Sequence, residues 1–319
     1  MPIISAYVAI VIGFIVLIWS ADRFVGGSAA VAKNMGVSKL MIGLTIVAFG
    51  TSAPEILVSI ISALKGSGDL AVGNALGSNL ANIGLVLGIT AIIAPIKIKG
   101  YILKQEYLLM LAVIFVSGLF LADAYLTSWE GYLLVGLLIP LLIWIIRIKK
   151  HHPDDEENEE IPKYSNTIAV FWLFVGLIFL VGSAQVLVWA AQIIATHFGV
   201  SSLIIGLTVV AIGTSLPELA ASVMSALKNH HDIALGNIIG SNVFNLLLVM
   251  GIAPAISPVT IEPMAFSRDY LSMAGLSITL GIFMAFSYWI GNKDNAYLGR
   301  WMGAILLCLY IAYYFVLFR

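Results

Sequence analysis

Long apolar runs separated by short polar stretches occupy most of the chain. Ten runs stand out, at residues 3–21, 38–64, 70–94, 106–122, 126–146, 167–188, 201–227, 233–257, 269–290 and 297–318. About 20 apolar residues cross a bilayer as a helix, so the pattern predicts ten transmembrane helices and an all-α polytopic membrane protein. No Lys or Arg precedes the first run. It therefore lacks the basic start of a signal peptide, and it is longer than a usual signal core. It reads as a retained first span.

One polar stretch differs from the others. Residues 149–165 hold His151, His152, Asp154, Asp155, Glu156, Glu157, Glu159 and Glu160 between Pro153 and Pro162 and their flanks. A run of this kind is a solvated linker, too short for a folded domain. It divides the chain into residues 1–148, the acidic linker 149–165, and residues 166–319, with five predicted helices on each side.

Composition narrows the function classes. Hydrophobic residues make up 61% and charged residues 10%, against about 25% charged in an ordinary soluble domain, and the mean hydropathy is +1.03. A soluble fold would lack a polar surface. The single Cys308 excludes a disulfide scaffold. A net charge of −1 without a basic stripe argues against nucleic-acid binding. Positive charge also sets orientation. With the N-terminus outside and ten alternating spans, 13 of the 16 basic residues fall in the cytoplasm, and Lys65, Arg268 and Arg319 fall outside. Both termini are then external and the acidic linker is cytoplasmic.

The chain also repeats itself at an offset of 163 residues. Ser38–Ile89 and Ser201–Ile252 align without a gap, with 30 of 52 positions identical. Each copy carries five spans. Five is odd, so the second copy enters the membrane from the opposite side, a construction many secondary transporters use.

Within the repeats two acids stand apart. Glu55 and Glu218 lie inside the second and seventh predicted spans at matching positions, with no Lys or Arg at that depth. A charge at the bilayer centre costs about 2.5–3.5 kcal/mol on insertion scales, which makes a paired, repeated carboxylate a site rather than an accident. Each belongs to a Gly-Thr-Ser-x-Pro-Glu motif: Gly50, Thr51, Ser52, Pro54, Glu55, and Gly213, Thr214, Ser215, Pro217, Glu218. Proline cannot donate and clashes with the carbonyl four residues back, so each helix should break there and release carbonyl oxygens. Carboxylates, hydroxyls and carbonyls suit a hard cation such as Ca²⁺. Asn74, Ser78 and Asn82, and their counterparts Asn237, Ser241 and Asn245, recur every four residues, on one helix face each. The glycines between them (Gly73, Gly77, Gly236, Gly240) would bring helices close.

These motifs, GTSAPE with GNALGSN and GTSLPE with GNIIGSN, resemble the calcium/cation antiporter superfamily, most closely the prokaryotic calcium/sodium antiporters. The resemblance covers essentially the whole chain. It implies two inverted five-helix halves whose first and sixth spans slide as gates. It implies Ca²⁺ ligands at Glu55, Glu218, Thr51 and Thr214. Sodium-site ligands fall on Ser52, Ser78, Ser215 and Ser241 with the carbonyls of Ala48 and Ala211, and a central polar pair on Asn82 and Asn245. No cofactor is implied. The transported ions are Ca²⁺ and Na⁺ or H⁺, the location is a bacterial or archaeal cytoplasmic membrane, and a monomer is the expected working unit. Some relatives carry an acid where this chain has Asn245, which leaves two carboxylates and opens the coupling ion to question. A proton-coupled or broader cation antiporter is the alternative, and an uncoupled cation channel is a further one. An intramembrane enzyme lacks a His, Cys or Lys at the depth of Ser52 or Ser215 to activate a nucleophile. Asp22, matched by Gln185, reads as an interfacial anchor, the histidines as solvated, Cys308 as a buried thiol, and Tyr310, Tyr313, Tyr314 and Phe315 as lipid-facing or interfacial.

Overall fold

The computed structural model describes residues 2–149, 162–199, 209, 211–290 and 295–317. Helix dominates. In chain order the helices are α1 (Pro2–Met35), α2 (Lys39–Thr51) and α3 (Ala53–Leu64), α4 (Gly68–Ile93) and α5 (Gly100–Leu121). After α6 (Ser128–Lys149) and α7 (Asn166–His197) come α8 (Ala211–Thr214), α9 (Leu216–Leu227), α10 (His231–Ile256), α11 (Ala265–Trp289) and α12 (Arg300–Leu317). Among the described residues eight helices are long and apolar enough to span a bilayer, and α2 with α3, bent by 47°, makes a ninth. The seventh predicted span, 201–227, lies partly outside the described residues. Its described end is the shorter apolar helix α9.

The first and sixth spans are longer than hydropathy predicts. α1 continues through Asp22 to Met35, and α7 continues to His197, where loops were expected after residues 21 and 188. Small side chains explain the extension. Gly26, Gly27, Ser28, Ala29, Ala30 and Ala32 are buried. A Cβ on Gly27 would lie 2.6 Å from the backbone nitrogen of Leu173, and one on Gly176 would lie 2.5 Å from that of Phe24. α1 and α7 therefore meet backbone to backbone, and dispersion over that contact replaces the hydropathy signal.

Two short ladders tie the ends of the bundle. β1 (Ile96–Lys97) pairs antiparallel with β4 (Tyr297–Leu298), and β2 (Tyr125–Leu126) pairs with β3 (Val259–Thr260). Each ladder joins a strand from before the linker to one from after it. The centre is filled by α10, which is buried over 94% of its apolar window. Gly43 of α2 rests on the backbone of Ile233 and Gly236, and Gly240 rests on Leu44. Such contacts let a helix cross the core, because glycine admits a second backbone where a side chain would hold it off.

Three smaller expectations fail. Cys308 is exposed on the outer face of α12. His230 is fully buried at the start of α10. Tyr310 is buried and shares a hydrogen bond with Tyr314, while the Tyr313 hydroxyl donates to Asp269.

Candidate functional site

Both proline motifs break their helices, as the sequence predicts. The break falls on the serine before the proline. Ser52 has φ −80 and ψ 4 and Ser215 has φ −86 and ψ 3, outside the helical well. Pro54 and Pro217 then open α3 and α9, where a missing N–H is harmless. Glu55 and Glu218 consequently stand in the first turn of a helix each, at its positive end, which favours a carboxylate there.

Both glutamates are 1% exposed. The partners are crossed between halves. The Ser52 hydroxyl donates to Glu218 Oε1 at 3.2 Å. The Thr214 hydroxyl bonds Glu55. One oxygen of each carboxylate, Oε2, is buried with no hydrogen-bond partner among the described residues. The same is true of Ser215 Oγ, Asn82 Oδ1, and both amide atoms of Asn245. Stranding a buried acceptor costs roughly 1–3 kcal/mol, more when it is charged. Five of these atoms are oxygens, the donor type a hard cation takes.

The sodium-ligand candidates divide into two sets. In one, Ser241 Oγ reaches the Ala48 carbonyl at 3.5 Å, which also accepts from Thr51 Oγ1 at 3.3 Å and from the Ser52 N–H at 3.0 Å. Ser52, Ala48 and Ser241 are thereby gathered beside Glu218. In the matching set, Ser78 and Ser215 are buried and Ala211 is the first residue of α8.

The sequence treats the asparagines of both trios as possible ligands, and the structure separates their tasks. Asn237 donates to the Glu218 carbonyl at 3.4 Å and to Ser222 Oγ at 3.0 Å, and accepts from Thr51 Oγ1 at 3.0 Å. Asn74 donates to the Glu55 carbonyl at 3.2 Å. These two hold the first turns that carry the glutamates. Asn82 donates to Asn242 Oδ1 at 3.3 Å. Asn79 and Asn242 were missed by the sequence reading. Asn79 Nδ2 donates to the Asn242 carbonyl at 3.2 Å and to Met273 Sδ at 3.7 Å, and Asn242 Nδ2 donates to Met110 Sδ at 3.7 Å. Met273 lies 163 residues after Met110, so the repeat offset held the signal.

Three of the five π-helical segments among the described residues lie in the helices of the repeats, and the other two are in α11. π-helical turns cover Gly43–Val47, Asn82–Leu87 and Asn245–Val249. Such turns are rare and cluster at functional sites. A cavity of about 360 Å³ reaches the site along α7, bordered by Pro54, Val58, Ile61, Gln185, Thr214 and Pro217.

Comparison with known proteins agrees with this fold. A family model described as sodium/calcium exchanger protein matches residues 5–147 and 168–319. CaxA of Alkalimonas amylolytica is 46% identical over 319 residues, covering 98% of each chain. The sodium/calcium exchanger MaX1 of Methanosarcina acetivorans is 28% identical over 354 aligned residues, also 98% of each. The solved structure of the sodium-calcium exchanger NCX_Mj, soaked with zero Na⁺ and Ca²⁺, matches with a TM-score of 0.84 at 31% identity over 99% of each chain. With its buried glutamate pair and membrane-spanning helices, the chain belongs to the sodium/calcium exchanger family of transmembrane antiporters.

Proposed function

We propose that the chain exchanges Ca²⁺ for Na⁺ or H⁺ by alternating access across a bacterial or archaeal cytoplasmic membrane. It does so as ten spans in two inverted five-span halves, with both termini outside and a single chain as the working unit. The observation that carries this reading is the pair of buried carboxylates, Glu55 and Glu218, each with a free Oε2 beside a broken helix. Two formal negative charges match one Ca²⁺, two Na⁺ or two protons. Unlike ions compete for the same oxygens, so their binding is mutually exclusive. Exclusion becomes exchange if the doubly charged site crosses the membrane only when filled.

The proposed ligands are Glu55, Glu218, Thr51 and Thr214 for Ca²⁺. Ser52, Ser78, Ser215 and Ser241 with the carbonyls of Ala48 and Ala211 serve Na⁺, and Asn82 and Asn245 complete the centre. The inverted arrangement is supported by the crossed strand ladders and by the matched contacts of Asn74 to Glu55 and Asn237 to Glu218. Alternating access is supported by an asymmetry between equivalent surfaces. Val58 and Ile61 of α3 border the cavity, whereas Ala221 and Met224, 163 residues later on α9, pack into a cluster with Leu17, Ala21 and Phe24 of α1.

Transport in proteoliposomes tests the proposal, with Na⁺ and pH gradients imposed separately. An antiporter moves ⁴⁵Ca²⁺ only against a trans ion, and the gradient that drives it names the coupling ion. Ca²⁺ flux without any trans ion would identify a channel instead.

A further inference from the structure

The helices covering the two halves differ in charge at one matched position. Gln185 of α7 borders the cavity on α3. Its counterpart on α1, 163 residues earlier, is Asp22. Asp22 is engaged, with Lys228 Nζ 2.6 Å from its Oδ1 and donating to its carbonyl at 3.2 Å. Lys228 caps the C-terminus of α9, the half-helix that carries Glu218. The pair thus ties α1 to the ion-binding half-helix while α1 covers Ala221. The matched residues at the other end are Gln185 and Lys65, and Lys65 is exposed. A neutral amide there forms no ion pair.

We propose that Asp22–Lys228 is a latch acting at one end only, which holds α1 over α9 and biases the protein toward the arrangement closed on the cytoplasmic side. The inference rests on the alternating-access reading. Exposing Ala221 to the cytoplasm requires α1 to move across α9, and that movement separates Asp22 from Lys228. Closing the opposite end gains no equivalent pair, so charge at one end tilts the equilibrium between the two states. Arg23 does not share this task. Its Nε lies 3.9 Å from Asp22 and its guanidinium sits over Trp172 of α7, so it travels with the α1/α7 unit. The side chains of Asp22 and Lys228 are 40% and 29% exposed, and a pair of that kind is worth a factor of about two to five in an equilibrium.

Cysteine accessibility tests the latch. With Cys308→Ser as background, Ala221→Cys is labelled by a membrane-impermeant maleimide in everted vesicles without Ca²⁺. Lys228→Gln and Asp22→Asn are each expected to raise the labelling rate about two- to fivefold. The double variant should exceed neither single one, and Lys228→Arg should match the parent. Gln185→Asp, which supplies Lys65 with a partner, should also raise the rate. Labelling that occurs but ignores Lys228→Gln and Asp22→Asn overturns the latch and leaves alternating access standing. Effects that multiply in the double variant show independent residues and overturn it as well. No labelling in any variant under any ion condition overturns both readings.

Discussion

Glu218→Gln separates charge from shape at the centre of the site. Glutamine keeps the volume, and its amide oxygen still accepts the Ser52 hydroxyl that Glu218 Oε1 accepts at 3.2 Å. What disappears is one of two formal charges at a position 1% exposed to solvent. A bound Ca²⁺ then faces one carboxylate, and an uncompensated charge of this depth costs about 3–5 kcal/mol. At about 1.4 kcal/mol per decade, Ca²⁺ affinity should fall between roughly a hundredfold and a few thousandfold. The ion-free protein responds oppositely, because the variant removes a buried charge whose Oε2 has no hydrogen-bond partner among the described residues. Its melting temperature in detergent should be equal to or above the parent's. Ca²⁺ at a hundred times the parent's Kd adds about 2.7 kcal/mol to the parent, a shift of at least about 2 °C, and should add no more than about 0.4 kcal/mol to the variant. ⁴⁵Ca²⁺ uptake should be lost in parallel, and Glu55→Gln should behave alike. A parental Ca²⁺ dose–response in Glu218→Gln would refute the ligand assignment. A melting temperature lowered without Ca²⁺ would assign the residue to the fold instead.

The other expectations follow from neighbouring contacts. Asn237→Ala strands the Glu218 carbonyl and Ser222 hydroxyl and frees Thr51, a loss of about 1–3 kcal/mol. Its apparent KM for Ca²⁺ should rise about tenfold, and Asn74→Ala, with one such contact, should have a smaller effect in the same uptake assay. Gly27→Ala drives a methyl group into the Leu173 backbone, whereas the nearest atom to a Cβ on Gly26 is 3.6 Å away. Thermal melts should show the first variant destabilised by about 1–3 kcal/mol and Gly26→Ala close to the parent. Asn245→Asp adds a third carboxylate where both amide atoms lack partners among the described residues. It should change the Na⁺ or pH dependence of uptake more than protein abundance, and an unchanged ion profile would count against Asn245 facing the ions.

The parts legible in the sequence share a physical cause. Glu55, Glu218 and the two prolines defy their surroundings, because a charge or a missing N–H inside an apolar helix needs a local reason, and twin copies repeat that reason. Hydropathy, in contrast, reads lipid contact and is silent where protein supplies the solvent. Arg23–Met35 looks like a loop because its residues are small and mildly polar, yet those properties let α1 lie against α7 at backbone distance. Asn79 and Asn242 look like packing residues until their amides are seen to meet Met273 and Met110 across the halves. The π-turns at Asn82 and Asn245 have no composition of their own. The offset of 163 recovers part of what hydropathy loses, since a polar residue that recurs at the matched position is constrained twice. Where the recurrence fails, the difference is informative in its own right. Asp22 against Gln185 is such a case, because a symmetric machine gains a preferred state only through residues that break its symmetry.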